Sequence, residues 1–493
     1  MNMDWLKGEL FDVPVQHKLV GTMVDRIQDP HIFTRKLVPW LVAIAFFMES
    51  LDATILNTAV PIMAKALGVM PLSMKSVLSS YTLSLAVFIP ISSWMADRFG
   101  TRRVFATAIG IFSLGSLLCG LSNNIQLLVF CRILQGCGGA MMVPVGRLTL
   151  VRTFAKSELV STMSFVAIPA LIGPMVGPLA GGLIVGLSHW RMIFFVNLPI
   201  GVLGLYLVLK HLPDYQIASR DKLDWVGLIL FGSGIALLSY ILEVFGETSL
   251  STHGLLALLG LSIALLLSYG LHASRKTRPL LRLGLLRIRT LRAAVGGNFF
   301  TRLGAGGMPF LLPLLYQVGL GYTPIQSGLL IMPQPLAAIF FRYWIPNLLS
   351  HFGYRRLLLG NTIFMGFSMM LFSTIGHGTA IWMIILQACG FGFFSSLQYT
   401  SMGTLAYADV NDAETSMAST ILSTVQQMSL SFGVATSSLV TTFFIANRFT
   451  ASSDEMIQGL HKGFLVLGLV TILSAFGFSE LNEHDGDNVS LHS

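Results

Sequence analysis

The chain has 493 residues, of which 54% are hydrophobic and only 11% are charged, and its mean hydropathy is +0.73. Because soluble domains carry about 25% charged residues, this composition excludes an ordinary soluble protein. The net charge of +8 would suggest a nucleic-acid ligand in a soluble chain, but the basic residues here lie between apolar segments. We therefore expect the chain to lie in a lipid bilayer, and we expect no nucleic-acid partner.

The N-terminal segment, residues 1–36, mixes acidic and basic side chains and lacks the apolar core of a cleavable signal peptide. This pattern predicts a cytoplasmic tail. A short amphipathic helix on the membrane surface is one interpretation of the same residues.

Apolar runs of about twenty residues recur after this tail, and each is long enough to cross a ~30 Å hydrocarbon layer as a helix. The fold class is therefore an all-α polytopic membrane protein. The runs predict fourteen spans, at 37–63, 75–96, 103–121, 126–150, 159–187, 191–209, 223–243, 254–273, 291–317, 325–349, 355–375, 380–404, 415–445 and 462–479.

The basic residues of the connections predict the orientation, because positively charged loops stay in the cytoplasm. An even number of spans puts both termini on one side, and that side holds most of the Lys and Arg. The other side holds only Lys65, Lys75, Arg191, Arg448 and Lys462. Both termini are therefore predicted to be cytoplasmic.

Two connections resemble each other: WMADRFGTRRVF at 94–105, after the second span, and LLSHFGYRRLLL at 348–359, after the tenth. Eight spans separate them, so a six-plus-six duplication with two inserted helices fits, and such repeats are typical of secondary transporters. The predicted units are a tail at 1–36, a first half at 37–210, inserted helices at 211–274, a basic connection with an interfacial helix at 275–290, a second half at 291–480 and a C-terminal cytoplasmic tail at 481–493.

The first span contains MESLDATILNTAVP at 48–61, with Glu49 and Asp52 in an apolar run. A carboxylate at the bilayer centre costs about 2.5–3.5 kcal/mol, so such residues usually have a function. Low dielectric favours the neutral acid, which makes Asp52 our first candidate for a proton carrier. Glu49, one turn away on the same face, could share the titration or face a substrate cation. A simple helix–helix hydrogen bond is the structural alternative for Asp52.

The fourth span contains RILQGCGGAMMVPVGR at 132–147. Arg132 and Gln135 share a helix face, and the glycines allow a second helix to approach closely. Counting residues from the span ends at ~1.5 Å each puts Arg132 and Asp52 at comparable depth. We therefore predict a proton-linked switch in which Arg132 modulates Asp52. A static ion pair that fixes packing is the alternative.

The connection SWMADRFGTRR at 93–103 contains four candidate latch residues, Asp97, Arg98, Gly100 and Arg102. Asp97 can cap a helix or pair with an arginine, and Gly100 permits a tight turn. The arginines also serve as topology signals, which is the favoured interpretation of Arg103. In the second copy, Ser350 and His351 replace Asp97 and Arg98, so a weaker latch is expected there.

The fifth span contains GPMVGPLAGG at 173–182. Glycines spaced by four residues make a smooth surface for a neighbouring helix, and the two prolines bend the helix by removing backbone donors. Such a helix could seal one access path, although close packing alone is the alternative. The candidate residues are Gly173, Pro174, Gly177, Pro178, Gly181 and Gly182.

Other polar residues within the spans are candidates for the wall of a substrate cavity. Arg302 and Arg342 could bind an anionic substrate group, or they could find local partners. The remaining candidates are Glu49, Asn57, Gln135, Gln387, Gln398, Gln426 and Gln427. The segment WRMIFFVNLPIG at 190–201 is interpreted as structural, with Trp190 and Arg191 as an interfacial anchor.

From about Pro39 to Ile445 these four motifs resemble the major facilitator superfamily, in its fourteen-span drug:proton antiporter branch of MdtD-like and EmrB/QacA-type bacterial exporters. The resemblance implies that the first-span acid binds protons and that the 93–103 loop stabilises the outward-open state. It also implies that the fifth-span motif distinguishes antiporters from importers. Ser93 departs from the usual glycine at the start of the loop motif. The implied location is the bacterial inner membrane.

The predicted function is proton-coupled efflux of amphipathic drugs or toxic small molecules by alternating access. An exporter of an endogenous metabolite, such as a siderophore, metal chelate or organic anion, is the alternative, and a non-transporting sensor is a remote one. The chain lacks a Walker motif and a nucleophile motif, so no enzyme activity is expected. The dispersed cysteines predict no metal site. We expect no cofactor, since the proton gradient supplies the energy, and a monomer, with accessory export partners left open.

Overall fold

A computed structural model describes residues 30–216, 222–245, 251–411, 414–445 and 452–487 of the chain. Across these residues the secondary structure is helical, and no strand is present. Eleven helices in this described part are long and apolar enough to cross a membrane. The predicted all-α membrane fold is therefore confirmed. The predicted surface helix of the N-terminal tail falls mainly on 1–29, outside the described residues.

The first half is built from helices that cover the first six predicted spans. They are α1 Pro30–Ile55, α2 Val60–Leu67, α3 Lys75–Phe88, α4 Ser92–Phe99, α5 Thr101–Leu121, α6 Ile125–Thr153, α7 Lys156–Leu187, α8 Met192–Phe195 and α9 Asn197–His211. The first span is divided between α1 and α2 by a short 3₁₀ turn, Asn57–Ala59. Pro61 in the first turn of α2 lacks a backbone donor, so it suits a helix start but not a helix interior.

The two inserted helices and the second half follow. They are α10 Trp225–Val244, α11 Thr252–Arg275, α12 Arg289–Ala305, α13 Met308–Leu314, α14 Pro324–Ile331, α15 Pro333–Phe341, α16 Ile345–Leu371, α17 Ile381–Leu405, α18 Thr415–Phe443 and α19 Ser453–Leu473. Helices thus cover every predicted span, which is consistent with fourteen. The start of the last span was placed too late, at 462, because Ser452 and Glu455 form a capping box that begins α19 at Ser453.

The two loop repeats bend the chain in the same way. Gly100 separates α4 from α5 with φ of +92°, and Gly353 has φ of +69° within α16. This left-handed region is one that residues with a Cβ rarely adopt. The bend at Gly353 joins the tenth and eleventh predicted spans within one helical stretch, Pro324–Thr374.

The halves contact each other through two reciprocal helix pairs. In the first half, α3 packs against α18 of the second, while α7 packs against α14. The second and fifth spans of one half therefore meet the fifth and second spans of the other. This exchange is what a two-fold relation between the repeats requires.

The inserted helices α10 and α11 pack on each other, and α10 also contacts α3 and α18. Asp224, which caps α10, accepts hydrogen bonds from the backbone N–H groups of Gly227 and Leu280, at 3.0 and 3.1 Å. It also lies 2.7 Å from Lys276 Nζ and 2.8 Å from His272 Nε2. These contacts fix the connection between the halves. That connection contains a five-residue 3₁₀ helix, Leu283–Arg287, in place of the predicted interfacial helix.

Candidate functional site

The carboxylate of Asp52 lies at the centre of a buried polar cluster in the first half. Arg132 Nη1 donates to Asp52 Oδ2 at 2.6 Å. Gln135 Nε2 and Asn197 Nδ2 each donate to Asp52 Oδ1 at 2.8 Å. These three hydrogen bonds connect the first, fourth and sixth spans. All three donors are N–H groups, and the Asp52 side chain accepts each of these hydrogen bonds.

Arg132 completes the cluster on the side of the second span. Its guanidinium also donates to Gln135 Oε1 at 2.8 Å, and it lies 4.2 Å from the centre of the Tyr81 ring. Asp52 and Arg132 are each only 1% exposed. A buried ion pair is held only when further hydrogen bonds satisfy both partners, and removing one partner typically costs about 3–5 kcal/mol. The structure therefore brings together the two residues that depth counting paired.

Asn197 is also a member of this cluster, although we assigned its segment, 190–201, a structural role. It is 1% exposed, and besides Asp52 it bonds Ser116 Oγ at 3.1 Å. Ser116 in turn donates to the backbone oxygen of Phe194 at 2.8 Å. An amide side chain in an otherwise apolar span was the signal available in the sequence, since such a group needs a partner in the membrane. The structural interpretation of 190–201 did not include this contact with Asp52.

A cavity of ≈ 610 Å³ lies between the halves beside this cluster. The second half contributes hydroxyl and amide side chains from one face of α18, and the first half contributes apolar side chains and two charges, Glu49 and Arg147. The lining residues of α18 are Thr415, Ser416, Ser419, Thr420, Ser423, Gln426 and Gln427. Gln426 and Gln427 lie where we predicted them, whereas Arg147 was not among the predicted cavity residues.

Most of the other predicted cavity residues lie elsewhere in this conformation. Gln135 belongs to the Asp52 cluster, and Asn57 is buried in the 3₁₀ turn at the end of α1. Arg342 is exposed in the turn Arg342–Trp344, and Gln387 donates to Thr374 Oγ1 at 3.2 Å. None of these side chains is among the residues that line the cavity. Helical periodicity identified them as polar positions but did not show which neighbour each one faces.

Arg302 and Gln398 have local partners within the second half. Arg302 Nε donates to Asn298 Oδ1 at 2.5 Å, and its guanidinium lies 3.7 Å from the centre of the Tyr399 ring. Gln398 is buried and accepts from Asn361 Nδ2 at 2.7 Å. These contacts correspond to the local-partner alternative for Arg302. The predicted cavity position of Gln398 is not observed here.

The basic connection at 94–105 is anchored within its own half. Asp97 forms an ion pair of 2.6 Å with Arg152 at the end of α6. The backbone N–H of Arg102 donates to Asp214 at 3.1 Å, and the backbone oxygen of Arg98 accepts from Gln216 at 2.7 Å. The segment after the sixth span therefore covers this loop.

The second copy of the loop is covered in the same manner by the end of the chain. The segment after α19 brings Glu483 to 3.2 Å from Arg356, and Asp485 forms two hydrogen bonds with Arg289, of 2.8 and 2.5 Å. Burial raises the pKa of Asp485, but its hydrogen bonds with Arg289 outweigh burial and lower the pKa below its usual range. The described part of the predicted C-terminal tail, up to residue 487, is thus docked on the second half.

The glycines of the fifth-span motif form the contact between α7 and α1. A Cβ at Gly173 would lie 2.1 Å from Ser50 Oγ, and one at Gly177 would lie 2.2 Å from Thr54 Oγ1. Gly181 faces the backbone oxygen of Ile55 in the same way, at 2.2 Å. The motif therefore lets the backbone of α7 pack directly against α1, the helix that carries Asp52.

The same helix also closes the cavity at one end. A Cβ at Gly182 would lie 2.3 Å from the backbone oxygen of Pro324, and one at Gly328 would lie 2.5 Å from that of Pro178. Gln317 Nε2 adds a hydrogen bond of 2.8 Å to the backbone oxygen of Thr58. All of these contacts lie at the end away from the Arg-rich loops, which we call the closed face.

The opposite end of the protein carries the two loop repeats with Arg98, Arg102, Arg355 and Arg356, and we call it the basic face. The cavity extends toward it, since its lining includes Val151 near the end of α6 and the first residue of α18. Within the described ranges, no group of three or more His, Cys, Asp or Glu side chains could hold a metal ion.

Comparisons with known proteins agree with this architecture. The profile of the Major Facilitator Superfamily matches residues 42–434. A relative from Escherichia coli (strain 55989 / EAEC), which bears the name multidrug resistance protein MdtD, is 37% identical over 92% of this chain and 96% of its own length.

Two solved structures show a similar fold. The POT family transporter PepTSo superimposes with a TM-score of 0.66 and 16% identity, over 91% of this chain and 99% of that one. A bacterial homolog of the human lysosomal transporter Spinster, in an inward-facing and unoccupied conformation, gives a TM-score of 0.65 with 13% identity, over 90% and 96%.

Proposed function

The chain belongs to the Major Facilitator Superfamily, and we propose that it exports amphipathic small molecules in exchange for protons. It is a multi-pass membrane transporter of that superfamily, and its relative's name, multidrug resistance protein, supports export of toxic compounds. The observation that carries the proposal is the buried pair of Asp52 and Arg132 beside a cavity between the two halves.

In this proposal the basic face is cytoplasmic, because positively charged loops are retained on the cytoplasmic side. The bacterial inner membrane is the proposed location, with both termini inside. The cavity then opens to the cytoplasm, and the closed face, sealed at Gly182 and Gly328, lies outside. The conformation is therefore one that would load substrate from within the cell.

The proton acts on the hydrogen bonds of the Asp52 cluster. Protonation of Asp52 removes its negative charge and replaces an acceptor with an O–H donor. Its interaction with Arg132 then weakens, and so do the hydrogen bonds from Gln135 and Asn197. Since these bonds tie α1 to α6 and α9, a single proton changes how three spans of the first half are held together.

The cycle follows from the order of these events. In the cytoplasm-facing state, Asp52 releases its proton and pairs with Arg132 as substrate enters the cavity. The halves then rock about the reciprocal pairs α3–α18 and α7–α14. On the outside, a proton binds Asp52, breaks its interaction with Arg132 and accompanies release of the substrate. The proton leaves to the cytoplasm when the carrier returns.

The latch contacts contribute to the same cycle. In this conformation Asp97 pairs with Arg152 of its own half, so it is not engaged across the halves. We propose that the loop at 94–105 acts across the interface when the cytoplasmic side closes. Arg302 and Arg342, the two candidates for binding an anionic substrate group, do not line the cavity in this conformation.

Proteoliposomes with an imposed pH gradient test this function. With ethidium as the probe, the wild type should couple dye movement to proton movement, and a protonophore should abolish it. Arg132→Ala should remove the normal pH dependence of transport. Absence of proton flux with ethidium, or an unchanged pH profile in Arg132→Ala, would contradict proton-coupled export by this switch.

A further inference from the structure

The cavity contains two opposite charges that the proton-coupling cluster does not use. Glu49 lies one helical turn from Asp52, on the same helix, and lines the cavity. Arg147 lines the same cavity from α6, and its side chain is exposed there. Asp52 itself is 1% exposed and already bonded to Arg132. The charges that a substrate can reach are therefore those of Glu49 and Arg147.

Within the described part of the chain, neither of these two side chains forms an ion pair. Among the residues that the structure describes, no Lys or Arg nitrogen lies within 4.0 Å of the Glu49 carboxylate, and no Asp or Glu oxygen lies within 4.0 Å of the Arg147 guanidinium. The neighbour of Arg147 is the ring of Phe46, whose centre is 6.0 Å away. Arginine stays charged at all physiological pH values. A substrate with only a positive charge would leave this guanidinium uncompensated.

The spacing of the two groups limits the size of the substrate's charged part. Phe46, beside Arg147, and Glu49 are three residues apart on α1, which corresponds to about 4.5 Å along the helix axis. Arg147 lies nearer the basic face, and Glu49 lies deeper. The two charges of a bound molecule would thus be only a few ångströms apart along the axis of the cavity.

The opposite wall offers hydrogen bonds without charge. One side of the cavity is lined by neutral polar side chains from a single face of α18. Among them are Ser419, Ser423, Gln426 and Gln427. Leu85 and Val143 are among the apolar residues of the facing wall. The cavity therefore combines one cation, one anion, a neutral polar stripe and an apolar surface.

We propose that this cavity selects zwitterionic substrates, small molecules that bear an ammonium and a carboxylate beside an apolar group. Glu49 binds the ammonium, and Arg147 binds the carboxylate. This inference rests on the proposed export function and specifies its substrate class. Complementary charges at both ends favour a zwitterion over a simple cation or anion, because each of those leaves one charge of the cavity unmatched. A simple cation such as ethidium still binds, but more weakly.

Four tryptophan derivatives provide a matched set of probes: tryptophan as the zwitterion, its methyl ester as the cation, N-acetyltryptophan as the anion and N-acetyltryptophanamide as the neutral form. Binding to the purified full chain is measured by ligand-induced shifts in melting temperature. We expect the wild type to bind tryptophan at least about tenfold more tightly than the ester or the N-acetyl form, equivalent to about 1.4 kcal/mol.

Two cavity variants should change this ranking in opposite directions. Arg147→Gln should abolish the preference for tryptophan over its methyl ester, and Glu49→Gln should abolish the preference over N-acetyltryptophan. The controls Arg103→Gln and Glu158→Gln remove charges outside the cavity and should leave the wild-type ranking. Unliganded melting temperatures identify any variant that fails to fold.

A wild type that binds the ester as tightly as tryptophan, or that binds none of the four probes, would overturn the zwitterion proposal. An unchanged ranking in Arg147→Gln would do the same. These outcomes are separable from failure of the export function. Proton flux with ethidium but no zwitterion preference would refute only the substrate class, whereas zwitterion binding without any proton flux would refute only the coupling.

Discussion

The two halves of the transporter bury polar side chains on corresponding helices, and the chemistry of the two clusters differs. In the first half, Arg132 and Gln135 of the fourth span and Ser116 of the third surround Asp52 or its partners. In the second half, Gln398 and Asn361 occupy the matching fourth and third spans and bond each other at 2.7 Å. The second cluster contains no ionised group.

This difference indicates how one fold divides two tasks between similar halves. A neutral amide cluster stabilises packing at any pH, whereas a buried carboxylate–guanidinium pair changes its interactions when a proton binds. Arg302, a charged residue within a span of the second half, is held by Asn298 and by the Tyr399 ring. We therefore propose that the first half alone carries proton coupling.

Transport is where the two halves should differ most. Asp52→Asn mimics the protonated acid, so it should retain substrate binding but lose coupled efflux by at least about 100-fold, the equivalent of about 2.7 kcal/mol. Gln398→Leu, in the neutral cluster, should reduce efflux by less than about tenfold. Efflux of ethidium from preloaded proteoliposomes measures both. Equal losses in the two variants would remove the distinction between the halves.

The two clusters should also differ in how much they contribute to the free energy of unfolding, although by less than they differ in transport. Arg132→Ala leaves a buried carboxylate without its counter-charge and should cost about 3–5 kcal/mol of unfolding free energy. Gln398→Ala leaves only neutral groups unsatisfied and should cost about 1–3 kcal/mol. Denaturant unfolding in detergent measures these values. The double variant with Asp52→Asn and Arg132→Gln should recover part of the first loss, and no recovery would argue against a charge effect.

The glycine contacts at the closed face test whether close packing between α7 of the first half and α14 of the second seals the cavity. Gly328→Ala places a Cβ 2.5 Å from the backbone oxygen of Pro178. Overpacking of this kind costs about 1–3 kcal/mol, so the sealed state should fall roughly tenfold in population. The measurement is the rate of maleimide labelling at Ile325→Cys, in a protein without its native cysteines. Gly328→Ala should increase this rate.

The matched control for this substitution is Gly360→Ala, because a Cβ there would meet nothing within 4 Å. Its labelling rate should equal that of the parent protein. Equal acceleration in both variants would show that added helix volume, and not the contact between α7 and α14, controls the seal.

The smallest effect concerns the connection between the halves. Burial raises the pKa of Asp224, but its hydrogen bonds with Lys276, His272 and the backbone outweigh burial and lower it to about 2. Because the folded-state pKa lies below the ordinary value of 3.8, Asp224 stabilises the fold fully above that value. This contribution is lost as the pH falls from about 4 to about 2.

The Asp224→Asn variant should therefore show a weaker decline in stability across this pH window than the wild type. Its loss of stability at neutral pH should be about 1–3 kcal/mol. The control Asp454→Asn removes an exposed carboxylate of α19. Melting temperatures recorded from pH 7 downward make the comparison, and parallel curves for Asp224→Asn and wild type would contradict the assignment.

Much of the fold was predictable, because apolar runs and positive loops reflect the bilayer directly. The tight turn expected at Gly100 is present, and Gly353 makes a matching bend in the second copy of the loop. Counting residues in from the span ends paired Asp52 with Arg132. These successes rest on spacing along single helices and on depth, which a sequence contains.

Side-chain direction between helices was less predictable. Asn197 and Arg147 are single polar residues in apolar spans, and nothing local shows that one faces Asp52 and the other a cavity. Arg302 has the same sequence character as Arg147 but stacks on Tyr399 within its own half. Such choices depend on how several helices pack together, which one helix cannot determine.

The central claim is that Asp52 carries the exchanged proton. Proton release from the purified transporter into weakly buffered detergent solution, monitored with a pH indicator as ethidium is added, tests it directly. We expect release from the wild type and from the control Asp454→Asn, and none from Asp52→Asn at ethidium concentrations where binding persists. Release from Asp52→Asn equal to that of the wild type would show that another group carries the proton.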